Sequence, residues 1–109
     1  MLLALYGTLR PGGTHHHEVR SIDGAWTTGT VRGWRYQITW GPADGFDGIT
    51  LDDSAPPVAV DILDSDQLDN HIDRVDRFEG PGYRRVTTTA MLDDGRQVDV
   101  EIYEADPEA

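Results

Sequence analysis

The residue in this sequence placed most oddly for its chemistry is Glu79. Asp64 with Gln67 three residues later reads as a helix N-cap with a capping box, and Gly80-Pro81 stops that helix near Phe78. At about 100° per residue from Asp66, the side chains of Leu68, Ile72, Val75 and Phe78 fall at roughly 200°, 240°, 180° and 120°, a single inward stripe. Asp66, Asp69, Asp73 and Asp76 fall at roughly 0°, 300°, 340° and 280°, a solvated face with no special role. Continued at this pitch, Glu79 lands at roughly 220°, inside the apolar stripe and at a helix C-terminus, where the macrodipole disfavours negative charge. Burial and dipole both destabilise the carboxylate, and a carboxyl pushed toward neutrality suits general acid–base work near neutral pH. The same pattern allows a bland arrangement in which the helix stops at Phe78 and Glu79 turns outward to Arg84 or Arg85.

A second chemical signal lies near the N-terminus. The apolar run Leu2 to Tyr6 feeds Gly7-Thr8-Leu9-Arg10-Pro11-Gly12-Gly13, a loop with three glycines and a proline. Consecutive backbone N–H groups in such a loop can form a nest for a carboxylate or a developing oxyanion. Arg10 could add a charged fork for a carboxylate; the alternative is an ordinary glycine turn with Arg10 in solvent. The loop has neither the GxGxxG spacing nor the lysine of a phosphate-binding loop. His15-His16-His17 is a poor metal site, since adjacent residues cannot all face one ion and no HExxH spacing accompanies them. Trp26, Trp34 and Trp40 sit at strand-like positions and read as core and rim packing.

Composition excludes several other chemistries. The chain has 109 residues with 20 acidic and 9 basic side chains, a formal net charge of −11, which argues against nucleic acid as a partner. It lacks cysteine and lysine, so disulfides, thiolate catalysis and Schiff-base chemistry are excluded. No apolar run approaches the roughly 20 residues of a membrane-spanning helix. The opening MLLALYG lacks the basic start of a secretory signal, so the expected location is the cytoplasm, with no membrane partner.

Elements to hold these groups can be read along the chain. After the first strand comes a weak helical segment around His15 to Ile22, then one long bent strand, or two in succession, over Thr27 to Trp40, interrupted by Gly29 and Gly33. Gly41 to Gly48 is turn-rich, Asp52 to Pro57 is a loop, and Val58 to Leu63 is a strand. Tyr83 to Leu92 and Gln97 to Tyr103 are strands joined by the hairpin turn Asp93-Asp94-Gly95. In the second, Val98, Val100 and Ile102 alternate with Asp99, Glu101 and Tyr103, so one face is buried, and Ala105 to Ala109 is expected to fray. The whole reads as a single α+β domain, 1–109, dominated by sheet.

Taken together, these segments resemble the gamma-glutamylcyclotransferase-like family, particularly its small bacterial members. Tyr6-Gly7-Thr8-Leu9-Arg10 is similar to the family's YGxLR signature, and Thr28-Gly29-Thr30-Val31-Arg32-Gly33-Trp34 to its GxLxG strand. Asp76-Arg77-Phe78-Glu79-Gly80-Pro81-Gly82-Tyr83-Arg84-Arg85 resembles its LDxxEGxxYxR segment, whereas Val58-Ala59-Val60-Asp61-Ile62-Leu63 lacks the glycine and tyrosine of the family's VxGExY-like strand. The resemblance implies a small mixed β-barrel with flanking helices that cyclises a gamma-glutamyl group into 5-oxoproline and releases an amine or amino acid. It implies Glu79 as catalytic acid–base, Tyr6, Gly7, Thr8, Leu9 and Arg10 as the hold on the glutamyl end, and Tyr83 as a pocket or hydrogen-bonding residue. It implies no metal or organic cofactor, a small-molecule gamma-glutamyl partner, and a monomer or homodimer. Two other functions fit the same residues: a non-catalytic domain binding a small metabolite in this pocket, and an acidic interaction module.

Overall fold

The computed structural model describes residues 1–108 and contains six strands and one α-helix. The strands are β1 (Leu2–Leu5), β2 (Ala25–Gln37), β3 (Asp47–Leu51), β4 (Pro57–Asp64), β5 (Tyr83–Leu92) and β6 (Gln97–Ala105), and α1 spans Leu68–Glu79. Five strands close a barrel in the order β2-β4-β1-β6-β5 and back to β2, while β3 adds to the far end of β2. Only β1 and β6 run parallel, Leu3 opposite Glu101 and Ala4 opposite Ile102; the other pairs are antiparallel, so the barrel is mixed.

The barrel closes on β2, which is a single strand of 13 residues doing the work of two. Residues 25–32 pair with β4, residues 33–37 pair with β3, and Gly29 and Thr30 also meet Leu92 and Met91 of β5. A Cβ on Gly29 would stand 2.5 Å from the Met91 carbonyl oxygen, so glycine is what lets the seam shut.

Strand alternation divides the apolar side chains into two cores. Ala4, Tyr6, Val31, Val60, Ile62, Ala90, Leu92, Val100 and Ile102 form one cluster, with Ile49 from β3. Leu3, Leu5, Leu63 and Tyr103 point the other way and pack beneath Leu68, Ile72 and Val75 of α1, with Leu9, Val19 and Ile22 from the loop region. The helix therefore covers one wall of the barrel and brings its C-terminus to the end of β1.

Several expectations shift. The helix starts at Leu68, not after Asp64: Asp64 ends β4, paired with both Leu2 and Ala25, and the Ser65 hydroxyl accepts the Gln67 N–H at 3.0 Å. Strand pairing on two sides outweighs the local capping pattern. Residues 47–51, of which 47 and 48 fall in the stretch read as turn-rich, form β3 because β2 offers them a pairing edge. The segment around His15 to Ile22 contains only a 3-10 turn, His16–Glu18. Ala105 does not fray; it is buried at the end of β6, and the next N–H, that of Asp106, donates to Gly82 O at 3.0 Å. Ala109 lies outside the described residues. Trp40 stacks on Tyr36, while Trp26 and Trp34 are exposed on the sheet surface rather than packed in the core.

Candidate active site

The helix terminus decides where Glu79 points. Glu79 is the last residue of α1, and Gly80, at φ +80°, turns the chain sharply while donating its N–H to the Asp76 carbonyl at 3.0 Å. This holds Glu79 on the helix, half-buried, instead of letting it swing outward. Neither arginine of the outward alternative pairs with it among the described residues. Arg84 pairs with Glu104 at 3.0 Å, and Arg85 pairs with Asp76 at 3.0 Å and Glu101 at 2.7 Å.

Glu79 lines a cavity of about 360 Å³ between the start of the chain and the end of the helix. Tyr6, Gly7, Thr8 and Leu9 form one wall and Phe78, Glu79, Gly80 and Pro81 the opposite one, with His15, Phe46, Asp47, Tyr83 and Tyr103 among the residues between them. The carboxyl's pKa is raised from its ordinary 4.5 to about 7, first because burial penalises the charge and then because the Asp76 carboxylate repels it. Asp76, assigned by the helical wheel to a featureless solvated face, is instead anchored beside the site. It accepts from Arg85 Nε at 3.0 Å and from the Tyr103 hydroxyl at 2.6 Å.

Three phenols surround the acid, and all three are occupied as donors. Tyr6 OH donates to the Tyr103 carbonyl at 2.7 Å, Tyr83 OH to the Asp47 carbonyl at 2.6 Å, and Tyr103 OH to Asp76. Burial raises the pKa of each, and the nearby Glu79 charge adds to it; that of Tyr83 is pushed up to about 12. A phenol so held stays protonated at physiological pH and offers substrate only an oxygen lone pair. Glu79 is thus the carboxyl in this wall whose proton can come and go near neutrality.

The glycine loop faces the acid. Its internal backbone bonds use the N–H groups of Arg10, Gly13 and His15, leaving those of Gly7, Thr8 and Leu9 outside that set. Of the residues singled out in the sequence, the fold gathers Tyr6, Gly7, Thr8, Leu9, Glu79 and Tyr83 around one space. Arg10 it does not. Its Nε donates to Asp61 of β4 at 2.7 Å, which pins the loop to the barrel and turns the guanidinium away from the cavity. Phe78, placed by the wheel in the core, lies at the cavity wall and is 38% exposed. Sequence reasoning missed His15, Asp76 and Tyr103; only Asp76, one helical turn before Glu79, carried a local hint. Among the described residues, no three of His, Cys, Asp and Glu converge as a metal site, and no helix is long and apolar enough to cross a membrane.

A small closed five-stranded barrel carrying one covering helix is the fold this chain shares with its structural neighbours. The chain belongs to the family described as gamma-glutamyl cyclotransferase, AIG2-like, whose model matches residues 3–109. Similar folds include YkqA from Bacillus subtilis, 22% identical with a TM-score of 0.75, over 96% of this chain and 35% of that one. An AIG2-like protein from Mus musculus is 18% identical with a TM-score of 0.65, over 98% of this chain and 80% of that one. A protein described as a gamma-glutamyl cyclotransferase is 15% identical with a TM-score of 0.58, over 97% and 66%. The chain thus spans about a third of YkqA. No curated protein sequence matches it significantly.

Proposed function

We propose that this domain cyclises gamma-glutamyl compounds, releasing an amine or amino acid and 5-oxoproline, with Glu79 as general acid–base. The observation that carries this reading is a carboxyl, its pKa raised to about 7, set across a cavity of small-metabolite size from the glycine loop that begins at Tyr6. In such a reaction the α-amine attacks the γ-carbonyl carbon of the same molecule. Holding the two together is a proximity effect worth up to roughly 7–11 kcal/mol in favourable systems. Ionised Glu79 takes the proton the amine loses as the ring C–N bond forms. The protonated acid then delivers it to the departing nitrogen as the original amide bond breaks. A pKa near neutrality serves both halves of that cycle. The N–H groups of Gly7, Thr8 and Leu9 face the carbonyl oxygen as it becomes an oxyanion, and Tyr6 and Tyr83 present lone pairs to the amine. Arg10 serves by fixing the loop to Asp61.

The decisive experiment is a 5-oxoproline release assay over gamma-glutamyl amino acids, gamma-glutamyl amines and glutathione, run with Glu79→Gln alongside. That change keeps the shape and removes the base, so turnover should fall by about 10²–10⁴-fold. Activity retained within a few-fold overturns the assignment. Ligand-induced stabilisation without any 5-oxoproline from the unsubstituted protein means a binding domain instead.

A further inference from the structure

The cavity has an unsolved charge problem. The glutamyl end of a substrate carries an α-carboxylate, yet the wall contributes the carboxyls of Glu79 and Asp47 and, among the described residues, no arginine. Arg10, the cation the sequence offers, is committed to Asp61. Desolvating a carboxylate beside two other acids requires donors that point at it.

One side chain in the wall meets that need. His15 lines the cavity, its ring packed against Phe78 with centroids 5.3 Å apart. Its Nδ1 is buried and has no hydrogen-bond partner among the described residues. Its two neighbours are engaged: His16 Nδ1 bonds with the Leu9 carbonyl at 2.9 Å, and His17 Nε2 lies 3.4 Å from Glu18. The His15 backbone N–H donates to the Thr8 carbonyl at 2.9 Å, so the residue is fastened to the loop that lines the cavity opposite Glu79. A buried ring nitrogen left without a partner is costly, and packing alone would be served as well by an apolar ring.

Resting on the cyclotransferase reading, we infer that His15 binds the substrate's α-carboxylate, its Nδ1–H donating to a carboxylate oxygen beside the loop. His15 is the one basic side chain of this wall, and its ring N–H takes the place of the arginine that the fold has turned away.

The test uses the full chain and 5-oxoproline, which retains that carboxylate, with 5-oxoprolinamide as the uncharged control. Calorimetric affinities are compared for the unsubstituted protein, His15→Phe and His15→Gln. His15→Phe should weaken 5-oxoproline binding by about 10- to 100-fold, while changing the amide's affinity less than about 3-fold. His15→Gln, which keeps a donor, should recover part of the loss. With a gamma-glutamyl substrate, the His15→Phe penalty should fall on KM more than on kcat. Equal weakening of both ligands marks a packing role and overturns the inference, as does an unsubstituted protein that binds no 5-oxoproline. Turnover with unchanged KM in His15→Phe overturns it while leaving the cyclotransferase reading intact. Carboxylate-selective, His15-dependent binding without turnover does the reverse. Should His15→Phe not fold, ring-¹⁵N spectra of the unsubstituted protein decide: the Nδ1 resonance must move with 5-oxoproline and stay with the amide.

Discussion

Glu79 sits where a carboxylate is costly, and that cost has two measurable signs. Its pKa in the folded chain, about 7, lies above its ordinary 4.5, so the folded state binds a proton that the unfolded state has already released between those values. Stability is therefore lost as pH rises from 4.5 to 7. Glu79→Gln removes that loss. By urea denaturation the variant should match the parent near pH 4.5 and exceed it by ~2–3 kcal/mol at pH 8. The second sign is kinetic. If ionised Glu79 is the base, kcat/KM should climb about tenfold per pH unit below 7 and level off above it. The three phenols do not enter that limb, because burial pushes Tyr6, Tyr83 and Tyr103 up and away from this range. A bell with its rising limb below pH 5 would place the catalytic proton elsewhere.

Among the elements, β2 and α1 carry the architecture of the site, one by closing the barrel and the other by ending where it does. Gly29 permits the closure, since the Met91 carbonyl occupies the space a side chain would need. Gly29→Ala confronts backbone with backbone, which cannot give way as a flexible side chain does. A loss of about 1–3 kcal/mol is expected from denaturant midpoints, with little change in the far-ultraviolet spectrum of the folded form. The cavity depends on the barrel indirectly, because β1 ends at Leu5 and delivers Tyr6 to Leu9 to the helix terminus only while β4 and β6 clamp it on both sides. An unchanged midpoint would mean that the seam is looser than its geometry requires.

The molecule as a whole is strongly anionic, at −11, and most of its arginines are spent in ion pairs with its own carboxylates, as with Arg10, Arg35, Arg74, Arg84, Arg85 and Arg96. Little positive field is left to draw in an anion. Net self-repulsion should make the fold salt-stabilised, and screening should help anionic substrates most. Raising sodium chloride from about 50 to about 500 mM should increase kcat/KM for glutathione several-fold and leave a net-neutral gamma-glutamyl amine nearly unchanged. Equal responses would show that the local field at the cavity mouth does not follow the global charge.

Features that depend on residues close along the chain are legible without any coordinates. Period-two and period-3.6 patterns give β5, most of β6 and the buried face of α1, and the same helical pitch puts Glu79 on the apolar side one residue before a glycine stop. The signature segments Tyr6 to Arg10 and Asp76 to Arg85 gave the family. What the tertiary structure alone decided are the partners that meet across long separations. Asp61 claims Arg10 from 51 residues away, and Asp76 receives Tyr103 from 27 residues away. β3 is a strand because β2 extends past the barrel, and His15 borders the cavity because its backbone folds onto Thr8. Local propensity encodes which face of an element is apolar, but which charge finds which is settled only when the closed barrel brings those faces together.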